Sequence, residues 1–214
     1  MAAARGLPHC SSAAPALPRP RWRIRCGALP SPSVSLLRSA MALRPYRGIH
    51  PVVAATAYVD PAAVVIGDVE IGADSSIWPC AVIRGDVQRI RIGARSNIQD
   101  GSIVHVTHDG PYTPGGFATH IGDDVTIGHA AVIHACTIES ACLIGMHATV
   151  LDGARVRRHG FVGAGAVVAP GKEVGEGELW LGNPARFVRK LSDEEIQRLY
   201  YSAEKYVELK NDYV

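Results

Sequence analysis

From Val53 onward an aliphatic residue recurs every six positions: Val53, Val59, Val65, Ile71, Ile77 and Ile83. After a three-residue insertion the beat resumes at Ile92, Ile98 and Val104, and after a loop at Ile121, Ile127 and Ile133. It closes with Ile138, Ile144, Val150, Val156, Val162, Val168 and Val174. Every one of these positions is Val or Ile, although the two types make up under a fifth of the chain. A period of six excludes an ordinary helix, whose apolar stripe recurs at about 3.6 residues. It fits an all-β solenoid in which three short strands make a triangular coil of about 18 residues. In each hexapeptide the aliphatic side chain points inward, and a small residue two places earlier (Ser75, Ala81, Ser96, Ser102, Ala131, Ala148) eases the corner.

Composition agrees with this architecture. Gly 22 and Pro 14, with only 6% aromatic residues, favour short strands and tight turns over long helices. Net charge is +2, but residues 1–40 hold six Arg and no acid, which leaves 16 basic against 20 acidic side chains, net −4, in residues 41–214. A mildly acidic body argues against a nucleic-acid partner, and no apolar run reaches the roughly 18 residues of a membrane span. Five cysteines without a CxxC pair do not make a disulfide scaffold, and Cys136 and Cys142 read as reduced core residues.

The chain divides into three parts. Residues 1–40, rich in Ala, Pro, Ser and Arg, lack hydrophobic periodicity and are expected to be a disordered extension. They resemble a mitochondrial transit peptide, but six prolines interrupt any amphipathic helix. A start at Met41, which implies a cytoplasmic protein, is the preferred reading; a genuine transit peptide implies the mitochondrial matrix. Residues 41–180 form the solenoid. In 181–214, an exit turn at Leu179–Pro184 precedes Ser192-Asp193-Glu194-Glu195, a capping box that opens a helix with Ile196, Leu199, Tyr200, Ala203, Tyr206 and Val207 on one face. That helix is expected to pack alongside the coil.

The repeat phase places the chemistry. If Ile92, Ile98 and Val104 are three sides of one coil, Ile121, Ile127 and Ile133 are those of the next, and His105 and His134 stack directly. Parallel strands lie roughly 4.8 Å apart, so both imidazoles can reach one metal at about 2.0–2.1 Å. Arg84 extends the same ladder one coil earlier. His129 falls on a different ladder, with Asp100 and Met146. A site using all three histidines therefore calls for a homotrimer in which one subunit's Arg84-His105-His134 ladder meets the next subunit's Asp100-His129-Met146 ladder, giving three sites at three interfaces. Any one of these histidines alone reads as a solvated surface residue. Three of them at two defined ladder positions point instead to a metal with an open fourth coordination place.

The pattern resembles the hexapeptide repeat of left-handed parallel β-helices, and the hand of the coil is implied by that likeness. More narrowly, Arg84-Gly85-Asp86, Asn97-Ile98-Gln99-Asp100-Gly101, His105, His129 with His134 five residues later, and Ile144-Gly145-Met146 resemble the gamma-class carbonic anhydrase family. The likeness spans nearly all of residues 43–214. It implies that His105, His129 and His134 bind Zn2+, with Fe2+ or Co2+ as other ions that imidazole accepts. It implies reversible hydration of CO2 to bicarbonate. Gln99, within the segment that begins at Asn97, would orient the attacking hydroxide, and Arg84, Asp86 and Asp100 would form an interface network, with a purely structural role for that network as open as a catalytic one. Two family glutamates that shuttle protons are missing: Val87 stands at the first place, and the loop Val106–Gly116 contains no Glu, leaving His108 or Asp109. These departures, with the Leu191–Glu195 helix start, resemble a bacterial carbonic anhydrase-like branch in which hydration activity ranges from weak to absent. Two other functions fit the repeat. One is a CoA-dependent acyltransferase, where Gly182-Asn183-Pro184-Ala185 also occurs; the other is a non-catalytic metal-binding trimer.

Overall fold

The structure, a computed structural model, describes residues 42–213. The expectations for residues 1–40 lie outside the described residues. The chain winds as a parallel β-solenoid whose rungs pair at the predicted phase. Val53 faces Ile71, Val59 faces Ile77 and Val65 faces Ile83. One coil further, Ile92 pairs with Ile121, Ile98 with Ile127 and Val104 with Ile133. Across the five-residue step from Ile133 to Ile138 the register holds, with Ile121 opposite Ile138 and Ile133 opposite Val150.

Two sheets of 12 and 8 strands build the three sides. The larger supplies two sides because Val64–Ile71 and Val82–Ile92 run through a corner without a break. Inside, the six-step residues form one continuous column; Ile77, Ile83, Ile98, Ile127, Ile133 and Ile144 are fully buried. Small residues stand at the corners as expected: Ser75, Ala81, Ser102, Ala131, Ala148 and Ala166 have no exposed surface. Ser102 Oγ also accepts from Ala131 N and donates to Gly128 O, so a buried hydroxyl stitches one coil to the next at no cost in unsatisfied polar groups.

Two features of the winding go beyond the repeat. Leu43–Arg44 pairs in parallel with Val65 and Ile66, so the coil begins a strand before Val53. Among the described residues, corners are turned by left-handed backbone at residues that are not glycine, including Asp74, Arg95, Asp124, Ala130, Ala141 and His159. Asn and Asp tolerate that conformation better than Ala does, and here the cross-coil backbone hydrogen bonds hold it, as Ala130 N to Asp100 O at 2.9 Å shows.

The last coil closes with a hairpin. Glu178–Leu181 pairs antiparallel with Arg186–Lys190, where the sequence reading had only an exit turn. Helix α1 (Asp193–Asn211) follows, with Ser192 as N-cap and the reciprocal Ser192–Glu195 capping box formed. Leu199 and Ala203 are buried against the smaller sheet, and Ser202 Oγ lies 3.2 Å from Thr126 Oγ1. Tyr206 and Tyr213 pack on Trp78 with ring centroids 5.6 and 5.2 Å apart, and Tyr58 joins the cluster. These aromatic contacts anchor the C-terminal part of the helix and the residues just after it to early coils. No helix among the described residues is long and apolar enough to cross a membrane.

Candidate metal centre

His105 and His134 are Cα partners on adjacent parallel strands. Their ring centroids are 5.1 Å apart, and His105 Nδ1 lies 3.1 Å from His134 Nε2. The outer nitrogens are both held by carboxylates. His105 Nε2 is 3.0 Å from Asp86 Oδ1, and His134 Nδ1 is 2.6 Å from Asp152 Oδ1. Asp86 also takes an ion pair from Arg84 and accepts from Val87 N, while Thr107 Oγ1 donates to Asp152 Oδ2 at 2.5 Å.

The electrostatics follow from these contacts. Burial raises the carboxyl of Asp86, but hydrogen bonds from His105 and Arg84 and the Arg84 charge outweigh it and hold the group below the usual range. Burial likewise opposes, and the bonds from Thr107 and His134 overcome, in Asp152. Both are therefore acceptors near neutral pH. Burial pushes the His105 imidazole below its ordinary value, with Arg84 helping and the Asp86 hydrogen bond resisting, so the ring is neutral there.

A carboxylate at the outer nitrogen of each ring accepts from it and so favours the tautomer with its proton there. Two lone pairs are left pointing at each other across 3.1 Å. In those tautomers both facing nitrogens are acceptors, an arrangement that suits a cation between them. Two imidazole nitrogens in a tetrahedral zinc shell, each about 2.0–2.1 Å from the ion, stand about 3.3 Å apart. The donor set thus fits a divalent ion of that size.

The other predicted site residues gather elsewhere. His129 Nδ1 lies 2.9 Å from Asp100 Oδ2, which leaves Nε2 free to bind. Gln99 and Asn97 are buried, with Gln99 Nε2 donating to Asn97 Oδ1 at 3.1 Å and Asn97 Nδ2 to Thr126 Oγ1 at 3.0 Å. Gln99, His129, Met146, Phe161, Ser202 and Tyr206 line one cavity of about 380 Å3 between the smaller sheet and α1. The fold therefore brings Arg84, Asp86, His105 and His134 together on one edge and Asn97, Gln99, Asp100 and His129 on another. Within one chain, no three His, Cys, Asp or Glu side chains among the described residues converge on a metal position. Cys136 and Cys142 take no part; burial pushes both thiols up to about 12.

Asp152 and Thr107 were not found by sequence reasoning. Asp152 follows Val150, which is opposite Ile133, so it sits diagonally beyond His134 on the next coil. Tracking the residues one and two places after each third-side aliphatic on the coil above would have shown it.

Comparisons with known proteins place the coil among its relatives. The model of the bacterial transferase hexapeptide (six repeats) family matches residues 50–85. Gamma carbonic anhydrase 1, mitochondrial, of Arabidopsis thaliana is 52% identical over 162 residues, which is 74% of this chain but 58% of that protein, so the chain spans under two thirds of that relative. Protein YrdA of Escherichia coli is 48% identical over 172 residues, covering 80% of this chain and 94% of YrdA. The chain belongs to the gamma carbonic anhydrase family. Solved structures agree on the fold: a hexapeptide transferase family protein from Anaplasma phagocytophilum has a TM-score of 0.75 and 42% identity, covering 81% of this chain and 99% of that one. A Bacillus cereus putative acetyltransferase has a TM-score of 0.75 and 36% identity, with 81% and 98% covered. Gamma carbonic anhydrase relatives and transferase-titled structures thus share one coil.

Proposed function

We propose that this protein is a homotrimeric, metal-dependent carbonic anhydrase of the gamma class, with His105 and His134 of one subunit and the partner subunit's His129 binding each ion. The observation that carries this reading is the 3.1 Å approach of His105 Nδ1 to His134 Nε2, with a carboxylate on the outer nitrogen of each ring. The side bearing the pair also supports assembly. Its outward column, Val64, Val82, Ile103, Val132, Thr149 and Val167, is almost wholly aliphatic, and Ile103 is 45% exposed. An apolar strip of this kind beside two half-buried imidazoles suits burial against another copy.

His105, His134 and the partner subunit's His129 would hold a divalent ion, which when bound would supply the chemistry of activating water near neutral pH for the hydration of CO2. Asp86, Asp152 and Asp100 each hold one histidine in the tautomer that offers its other nitrogen. Gln99, tethered through Nε2 to Asn97, lines the cavity beside His129 and would be placed to orient the attacking water. Arg84 balances the charge of Asp86. For proton transfer the loop offers His108, since Asp109 Oδ1 is engaged by Gly115 N. With Val87 in place of a shuttling acid, hydration is expected to be slow. Zinc, ferrous iron and cobalt all suit imidazole donors.

The transferase titles of similar structures favour a second reading, CoA-dependent acyl transfer. Elemental analysis of anaerobically purified protein with stopped-flow CO2 hydration separates the two. About one metal per chain with measurable hydration supports the proposal; no metal, together with protection from unfolding by acetyl-CoA, selects the transferase. Metal without hydration leaves a non-catalytic metal-binding trimer. The Arabidopsis relatives are named as mitochondrial, and a matrix location follows if residues 1–40 are cleaved as a leader. N-terminal sequencing of the native chain tests this.

A further inference from the structure

The geometry points to Asp152 and Thr107 as positioning residues that set the tautomer of His134 and so the affinity of the centre. This rests on the metal reading of His134. The two oxygens of Asp152 join three successive coils: Thr107 follows the strand of Val104, His134 follows Ile133 one coil later, and Asp152 follows Val150 one coil later again. Thr107 Oγ1 donates to Oδ2 at 2.5 Å, and Oδ1 accepts from His134 Nδ1 at 2.6 Å.

The direction of these bonds is determined by chemistry. An ionised carboxylate only accepts, so the His134 proton must lie on Nδ1, and Nε2 keeps its lone pair toward His105. Thr107 prevents the carboxylate from rotating away. Thr107 is also where the loop departs, and it exchanges backbone hydrogen bonds with Phe117, each at 3.0 Å, while Thr119 Oγ1 at the other end of the loop donates to the His105 carbonyl at 2.5 Å. Both feet of the loop therefore brace the histidine rung. A ligand oriented in this way binds without first selecting among ring rotations and tautomers, and loss of such an outer partner typically weakens a metal by about 10- to 100-fold.

The test uses the full chain loaded with Zn2+ or Co2+ and titrated with a competing chelator. D152A weakens the metal by about 10- to 100-fold. D152N, whose amide oxygen still accepts from Nδ1, keeps part of the affinity, and T107V falls between wild type and D152A. In parallel, the imidazole 15N spectrum of metal-free protein shows His134 protonated on Nδ1 in wild type and a mixture of tautomers in D152A. Wild-type affinity and an unchanged His134 tautomer in D152A would overturn the assignment. A wild-type protein that takes up no metal sinks the proposed function instead, and the tautomer measurement still decides what Asp152 does. If D152A fails to fold, T107V provides the same two readouts.

Discussion

Asp100 Oδ2 sits 2.9 Å from Nδ1 of His129, on an edge of the coil that the His105–His134 pair does not share. The three imidazoles are therefore each carboxylate-oriented yet divided between two surfaces, so the proposed centre would draw on two chains.

That division predicts an unusual complementation. H105A and H129A homotrimers should each lack tight metal. When the two variants are refolded together in equal amounts, every mixed trimer regains one site of three, so about a quarter of the wild-type metal returns under cyclic symmetry. Metal content after gel filtration measures it, and no recovery in the mixture argues against interface sites.

Acidification should loosen the metal-free protein in a defined window. The folded His105 imidazole has its pKa held below the ordinary 6.5, chiefly by burial, so the unfolded chain binds more protons between those two values. Stability is full above 6.5 and falls as the pH drops from there through the folded value. Asp86, depressed from 3.8, adds a second loss at more acid pH with the same sign. Urea midpoints from pH 8 to 4 read both, and H105Q should flatten the first step.

Ile133 is fully buried and carries the strand that presents His134. Ile133→Ala should cost about 2–5 kcal/mol from lost burial and the cavity left behind. Chemical denaturation gives the stability, and metal binding should weaken along with it. A cost below 1 kcal/mol would mean that the core collapses around the gap.

Helix α1 begins on the Ser192–Glu195 box, and Glu195 also pairs with Arg189 at 2.7 Å. Ser192→Ala should cost about 1 kcal/mol, visible as faster amide exchange in the first turn while the exchange of the coil strands is unchanged.

Much of this was legible in the sequence because a six-residue beat states the register directly. Once Val104 and Ile133 are counted as equivalent sides, His105 must lie over His134, and no side-chain detail is needed. Asp152 was not legible for the opposite reason: its role depends on a diagonal reach between coils, which periodicity does not encode. The left-handed corners at Ala130, Ala141 and His159 escaped because only glycine announces that conformation by type. The Arg186–Lys190 strand is exposed throughout and has no inward column, since it caps the end of the coil instead of continuing it.

The excursion from Val106 to His120 leaves and re-enters the winding in phase, since Val104 still faces Ile133 and Ile92 still faces Ile121. At its tip Gly110 bridges to Thr113 and Gln88 Nε2 donates to Gly115 O at 3.0 Å, while Tyr112 there is 96% exposed. A foreign sequence spliced in at Tyr112 would lengthen the detour without resetting the turn count. The tip is thus a place where descendants of this gene can gain or lose length and still inherit a working histidine rung.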